Sequence, residues 1–222
     1  MFLSPFPNNI SFYCGDKTTT KNSALLSQEK KILTHISSNK RQAEFILGRS
    51  VAHLALKKFG LESKPILRNQ KTREPLWPKS ICGSITHSNY LAAAAVGLST
   101  DITGIGIDLE NLSKELNYKV RRLICVEEEL EWLDKLNPEE ANLHLRIIFS
   151  AKESIFKCFF PKSRTFLQFK DACIELNEKN SEFYYILSKS CSKITNIGFK
   201  HHGIFSIKKN FLLTSTFLKK GS

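Results

Sequence analysis

Asp108 and Glu110 stand two residues apart in Gly106-Ile107-Asp108-Leu109-Glu110. In a strand, residues i and i+2 point to one face, so the two carboxylates sit side by side between apolar neighbours. Like charges so placed call for a cation. An all-oxygen pair suits Mg²⁺, which takes one or two carboxylates together with phosphate oxygens. The same Asp-x-Glu also fits a solvated strand end with two exposed acids. A third acid, Glu153, lies in Phe149-Ser150-Ala151-Lys152-Glu153-Ser154-Ile155-Phe156-Lys157. On a helix, Ile148, Ala151, Ile155, Cys158 and Phe159 share an apolar face, and Ser150, Glu153 and Lys157 fall opposite. Glu153 and Lys157, as i, i+4 neighbours, make either a surface ion pair or a metal ligand beside an ammonium for phosphate.

Gly83-Ser84-Ile85-Thr86-His87-Ser88 brings hydroxyls and an imidazole together where a strand-to-strand turn is expected. Such a loop can offer N–H groups, hydroxyls and a ring nitrogen to a phosphate, or it is a polar turn. Arg41 and Arg49 flank an expected helix, and Lys71 and Arg73 sit in a proline-rich loop. Arginine grips phosphate in a bidentate fork, although a single arginine is usually a solvated charge. No serine or cysteine has the local signature of a nucleophilic triad.

The elements that must carry these residues follow from periodicity. Residues 41–60 read as a helix closed by Gly60, and 62–80, with Pro65, Pro75 and Pro78, as a loop. Residues 81–85 and 90–96 read as short strands joined through 86–89, and 104–109 as a buried strand. A helix is expected over 119–136 with Pro138 in the break after it. A second runs from about 142 to 160 and stops before Pro161. From 171 to 219, four alternating segments predict antiparallel strands. This order predicts an α+β fold, with the possibility of two similar halves.

The chain has 222 residues, enough for one core or for two small halves sharing one. No apolar run reaches the ~18 to 20 residues of a membrane span, and the first 15 residues lack the basic head and apolar stretch of a signal peptide. Six cysteines, none in a Cys-x-x-Cys pair, predict reduced thiols and a cytoplasmic protein. The net charge of +12 favours a polyanionic partner: nucleic acid, acidic lipid, acidic protein or a phosphorylated small molecule.

Taken in order, Gly48-Arg49, Arg73-Glu74-Pro75-Leu76-Trp77-Pro78, Gly83-Ser84-Ile85-Thr86-His87, the Gly106–Glu110 segment and the Phe149–Lys157 segment resemble the 4′-phosphopantetheinyl transferases. Within them the order is most similar to the long, monomeric type that includes enterobactin synthase component D and the surfactin synthetase activator. The match spans about residues 41 to 160; residues 1–40 and 171–222 carry no matching motif. The resemblance implies two α+β halves related by a pseudo-twofold, 1–105 and 106–222, with coenzyme A in the cleft between them and the metal site in the second half.

By that resemblance Asp108, Glu110 and Glu153 hold Mg²⁺, with Mn²⁺ as a substitute, against the pyrophosphate, which Lys157 contacts. Ser84, Thr86 and His87 line the coenzyme site, Arg49 and Arg73 face its 3′-phosphate and adenine end, and Arg41 is a further candidate. The implied reaction moves 4′-phosphopantetheine from coenzyme A to a serine of an acidic acyl- or peptidyl-carrier protein in fatty-acid, polyketide, siderophore or peptide synthesis, releasing 3′,5′-ADP. Glu153 or a metal-bound water serves as base. Two other readings compete: a basic nucleic-acid-binding module using Trp77 and Tyr90 as stacking surfaces, and a coenzyme A-binding relative without turnover.

Overall fold

The computed structural model describes residues 1–20, 25–113, 116–188 and 198–221. In the first half, strand β1 (Ile10–Asp16) is followed by a short helix α1 (Ser27–Leu33) and a long helix α2 (Asn39–Leu56). A small hairpin, β2 (Leu67–Arg68) and β3 (Pro75–Leu76), precedes β4 (Ile81–Ser88) and β5 (Leu91–Leu98). The sheet order is β1-β5-β4, all antiparallel. Ser38 caps α2 by accepting the Arg41 N–H, and a left-handed Gly60 ends the turn that follows the helix. Leu47, Val51, Ala52, Ala55 and Leu56 of α2 pack on Ala92, Ala94 and Val96. The alanine run of β5 is a sheet strand buried on both faces, since Ala93 and Ala95 join a second core.

The second half repeats this path. Strand β6 (Ile102–Asn111) leads through helices α3 (Arg121–Ile124) and α4 (Glu127–Leu133) to the long helix α5 (Pro138–Ser163). Strands β7 (Ala172–Asn177), β8 (Glu182–Leu187), β9 (His201–Lys208) and β10 (Phe211–Lys219) complete it. The sheet order is β6-β10-β9-β8-β7. Its first three strands reproduce β1-β5-β4, with β7 and β8 added outside. The turns match too: Asn89 and Lys209 open the two-residue turns of the β4–β5 and β9–β10 hairpins, each at positive φ. The expected α+β fold of two similar halves is therefore present in the topology. Residue 105, the division expected between them, lies inside β6; the connection between the last strand of one repeat and the first of the next is Ser99–Asp101.

Strand β6 explains the sequence Gly104-Ile105-Gly106-Ile107-Asp108-Leu109. Ile105, Ile107 and Leu109 face one core with Phe211 and Leu213. Gly104 and Gly106 face α5, where an added Cβ would run into the carbonyl oxygens of Cys158 and Ser154. Helix and strand touch backbone to backbone there, and Asp108 is the next residue on that face.

Several local expectations change. Residues 10–16, without a periodic signal, form a strand. The expected helix over 119–136 is broken at Cys125-Val126, where α4 restarts, and Leu123 is exposed rather than packed. Pro138 does not fall in a break but opens α5, where its missing N–H costs nothing. Pro161 does not stop α5: it sits in the last turn, and the helix closes at Arg164, left-handed, with its N–H on the Phe160 carbonyl. The five cysteines among the described residues are free thiols; Cys191 lies outside them. No helix among the described residues is long and apolar enough to cross a membrane.

Candidate active site

The two sheets meet where β4 runs beside β6, and the join is made by side chains. Ser84 Oγ accepts the Ile107 N–H at 3.2 Å, and Thr86 Oγ1 accepts the Leu109 N–H at 3.0 Å. These hydroxyls satisfy edge N–H groups that would otherwise be buried and unpaired. Thr86 Oγ1 also donates to Asp108 Oδ1 at 3.4 Å. Ser84 and Thr86 are thus placed in the seam rather than in a cleft wall, both buried.

Asp108 is 5% exposed. Its Oδ2 accepts from Ser150 Oγ at 2.9 Å, and its Oδ1 takes the Lys157 ammonium at 2.6 Å. Ser150 is fully buried and is bracketed by Thr214, whose hydroxyl lies 2.9 Å away and donates to the Ser150 carbonyl at 2.8 Å. The helix face of Ser150 and Lys157, read from sequence as the face opposite the core, is therefore packed onto β6 and β10. Glu153, half-buried on α5, has its pKa raised by burial and by Asp108, against the pull of Lys157. Glu110, at the end of β6, lies in the field of Arg146, whose Nη2 donates to the Asn111 carbonyl at 2.7 Å.

Among the described residues, no three His, Cys, Asp or Glu side chains converge closely enough to enclose an ion alone. In chemistry the donors are still of the kind Mg²⁺ takes, carboxylate oxygens that phosphate oxygens would supplement. A carboxylate already drawing an ammonium and a second one whose charged form burial disfavours are both relieved by a cation.

Next to this face opens a cleft of about 780 Å³. Arg41, Arg49, Arg68 and Arg73 line it, with His87 at the inner wall. Arg73 lies in the β2–β3 connection at φ 63°, after an Asn69 side chain that accepts the Lys71 and Thr72 N–H groups. Arg49 is nearly buried: Nε and Nη2 donate to the Ile66 and Leu67 carbonyls at 3.0 and 3.2 Å, and the guanidinium stacks on Phe45. Burial brings its pKa down to about 10. Arg68 is lowered by burial and by repulsion from Arg73 and Arg41. Clustered cations of this kind favour a multiply charged anion.

His87 belongs to β4, not to a turn. Its Nδ1 is 3.8 Å from Glu44 Oε2, and its pKa is held below the imidazole norm by partial burial and Lys157, with Glu44 and Asp108 opposing. It thus stands between the arginine cleft and the carboxylate face.

Arg68 and Glu44 were not singled out in the sequence. Arg68 sits in an unpatterned loop, while Glu44 was three residues from Arg41 on a readable helix. Lys152, of the same motif as Glu153, points the other way: it is buried against Glu129 at 2.6 Å and donates to the Ile124 carbonyl at 2.9 Å. Of the two aromatic residues considered as stacking surfaces, Trp77 is half-buried, its indole N–H donating to the Gly83 carbonyl at 2.9 Å, and Tyr90 is exposed.

Known proteins give the same direction. The profile of the 4′-phosphopantetheinyl transferase N-terminal domain matches residues 28–97, and that of the 4′-phosphopantetheinyl transferase superfamily matches residues 104–211. The chain is 38% identical over 136 residues to the 4′-phosphopantetheinyl transferase PptT of Mycobacterium tuberculosis, covering 61% of this chain and 58% of that one. It is 36% identical over 134 residues to the transferase Svp of Streptomyces mobaraensis, covering 60% and 54%. Enterobactin synthase component D of Escherichia coli K12 is 34% identical over 122 residues, covering 54% and 56%. The matched stretch spans between half and three fifths of the length of these relatives. With one profile over each half of the chain, the chain belongs to the 4′-phosphopantetheinyl transferase superfamily.

Proposed function

We propose that this chain transfers 4′-phosphopantetheine from coenzyme A to a serine of an apo acyl- or peptidyl-carrier protein and releases 3′,5′-ADP. The observation that carries the reading is the adjacency of two sites across β4: an arginine-lined cleft and a carboxylate–ammonium face, with His87 between them. The cleft suits the 3′-phosphate and adenine end, and the face suits the pyrophosphate. A bound Mg²⁺, or Mn²⁺ in its place, would be held by Asp108, Glu110 and Glu153 and would neutralise pyrophosphate charge.

In the proposed reaction the carrier serine oxygen forms a bond to the phosphorus that bears pantetheine, and the bond from that phosphorus to the leaving 3′,5′-ADP breaks. Lys157 stabilises the charge that develops on the phosphate oxygens. Glu153 takes the serine proton; a carboxylate raised by burial has the affinity for it that a fully solvated acid lacks. Positioning and neutralisation supply most of the catalysis in such phosphoryl chemistry. The two halves divide the work, and we place their boundary at Ser99–Asp101. The presence of both sites within one chain supports a monomer, and the +12 charge suits an acidic carrier. The use of coenzyme A in this reaction supports a cytoplasmic location.

The test is to incubate the purified protein with coenzyme A, Mg²⁺ and a panel of apo carrier proteins, and to weigh each carrier by intact mass spectrometry. A gain of one phosphopantetheine, abolished by EDTA, is the expected result. No gain on any carrier, with coenzyme A nevertheless bound, would replace this reading by that of a coenzyme-binding protein without turnover.

A further inference from the structure

Glu29 has no solvent-exposed surface, yet donors from three separate segments converge on its carboxylate. It occupies the third position of α1, where its Oε2 accepts the Leu26 N–H at 3.0 Å and closes the helix N-terminus. Its Oε1 accepts the Ile66 N–H at 2.9 Å, just before the β2–β3 hairpin. From α2, His53 Nε2 reaches both oxygens at 2.9 and 3.0 Å, and Arg49 Nε stands 4.0 Å away. A buried carboxylate is costly, and an apolar side chain would fill the same space more cheaply. What the acid adds is a fixed junction.

The three segments tied at that junction supply three walls of the arginine cleft, beside the β4 wall that carries His87. The chain leaving α1 contributes His35 and Ser37, α2 contributes Arg41 and Arg49, and the hairpin contributes Arg68 and Arg73. Glu29 itself does not line the cleft. The second half contains a counterpart. Glu129, third residue of α4, accepts the Val126 N–H at 2.9 Å, the Ile174 N–H of β7 at 2.7 Å, and the Lys152 ammonium of α5 at 2.6 Å. It too binds its own helix start, a strand and the long helix, but that long helix carries Glu153 and Lys157.

We infer that Glu29 is a positioning residue for coenzyme A: it sets the spacing of Arg49, Arg68 and Arg73 around the 3′-phosphate end without touching the ligand, while Glu129 positions the carboxylate–ammonium face. The inference rests on the reading of the cleft as the coenzyme site. It differs from a general role in stability because the two acids, alike in burial and bonding, must separate in what they control. Glu29 governs affinity, and Glu129 governs turnover.

The experiment titrates 3′,5′-ADP into the full-length wild-type protein, Glu29→Gln and Glu129→Gln by calorimetry without metal, and then measures kcat and KM for coenzyme A. Glutamine keeps the shape but turns an N–H₂ toward one of the converging donors. Glu29→Gln is expected to weaken 3′,5′-ADP by roughly tenfold or more and to raise KM in parallel, with a much smaller change in kcat. Glu129→Gln is expected to bind 3′,5′-ADP within about twofold of wild type and to lose kcat. If Glu29→Gln does not fold, His53→Leu severs the α2 tie alone, and a loss of roughly threefold in 3′,5′-ADP affinity is expected. Wild-type affinity in whichever of these two variants folds, or equal losses in both halves' variants, overturns the inference. A wild-type protein that does not bind 3′,5′-ADP overturns the reading of the cleft and this inference with it.

Discussion

Lys157 Nζ lies 2.6 Å from Asp108 Oδ1, so the ammonium of α5 rests on the carboxylate of β6. Both groups are needed elsewhere in the proposed reaction, one on a metal ion and the other on phosphate. The pair is therefore a resting arrangement that substrate binding must open. Asp108→Asn keeps the shape and removes the charge. Turnover is expected to fall below detection by intact mass. The fold should persist, because Lys157, 27% exposed, can turn to water. Unchanged turnover would remove Asp108 from the metal site.

Lys157→Ala removes a charge-stabilising donor and should cost about 3 to 4 kcal/mol of transition-state stabilisation, read as kcat/KM in single-carrier assays. A mainly raised KM with kcat intact would instead make Lys157 a binding residue.

Thr86 ties two things at once, the Leu109 N–H and Asp108 Oδ1. Thr86→Val preserves the branched shape and leaves a buried N–H without its acceptor, which costs about 1 to 3 kcal/mol of stability. Thr86→Ser keeps the hydroxyl and should retain most of it. Chemical denaturation of the two variants distinguishes the seam hydroxyl from the methyl beside it.

The buried acid of the first half also predicts a pH dependence. Burial works to raise the Glu29 pKa, but hydrogen bonds from His53, Ile66 and Leu26 outweigh it and hold the group below its ordinary value of 4.5. A carboxylate lowered on folding contributes stability that is present above that ordinary value and lost as pH falls through the lowered one. The stability gap between wild type and Glu29→Gln should therefore be full at neutral pH and shrink at acid pH, in denaturant titrations from pH 7 down to about 3. A gap independent of pH would mean that Glu29 is not ionised in the folded protein.

The carboxylate site was more legible in sequence than the cleft. Asp108, Glu110, Glu153 and Lys157 sit on one strand and one helix whose periods set their faces, so two short segments suffice to bring them to mind. Arg68 and the placement of Ser84 and Thr86 depend on how β4 docks against β6 and how a proline-rich hairpin folds over α2, neither of which has a period. Ser150 was misread because a helix wheel separates polar from apolar, whereas this helix buries a serine against a strand aspartate. Strand β1 was silent for a similar reason: its partner β5 is alanine-rich, and little alternation is needed to pack there.

Gly106 gives the sharpest test of how that aspartate is placed. The strand residue touches the backbone of α5 at Ser154, one position after Glu153 on the helix, and stands two positions before Asp108 on the strand. A methyl group at Gly106 has no flexible neighbour to displace, since what it meets is a helix carbonyl. Gly106→Ala must push β6 and α5 apart, at about 1 to 3 kcal/mol for overpacking of this kind. The same displacement draws Asp108 from Ser150 and from Glu153, so activity should fall further than the stability loss explains. Thermal unfolding measured beside carrier modification separates the two effects. A variant that melts lower yet modifies its carrier at the wild-type rate would show that the spacing of β6 and α5 does not set the reaction.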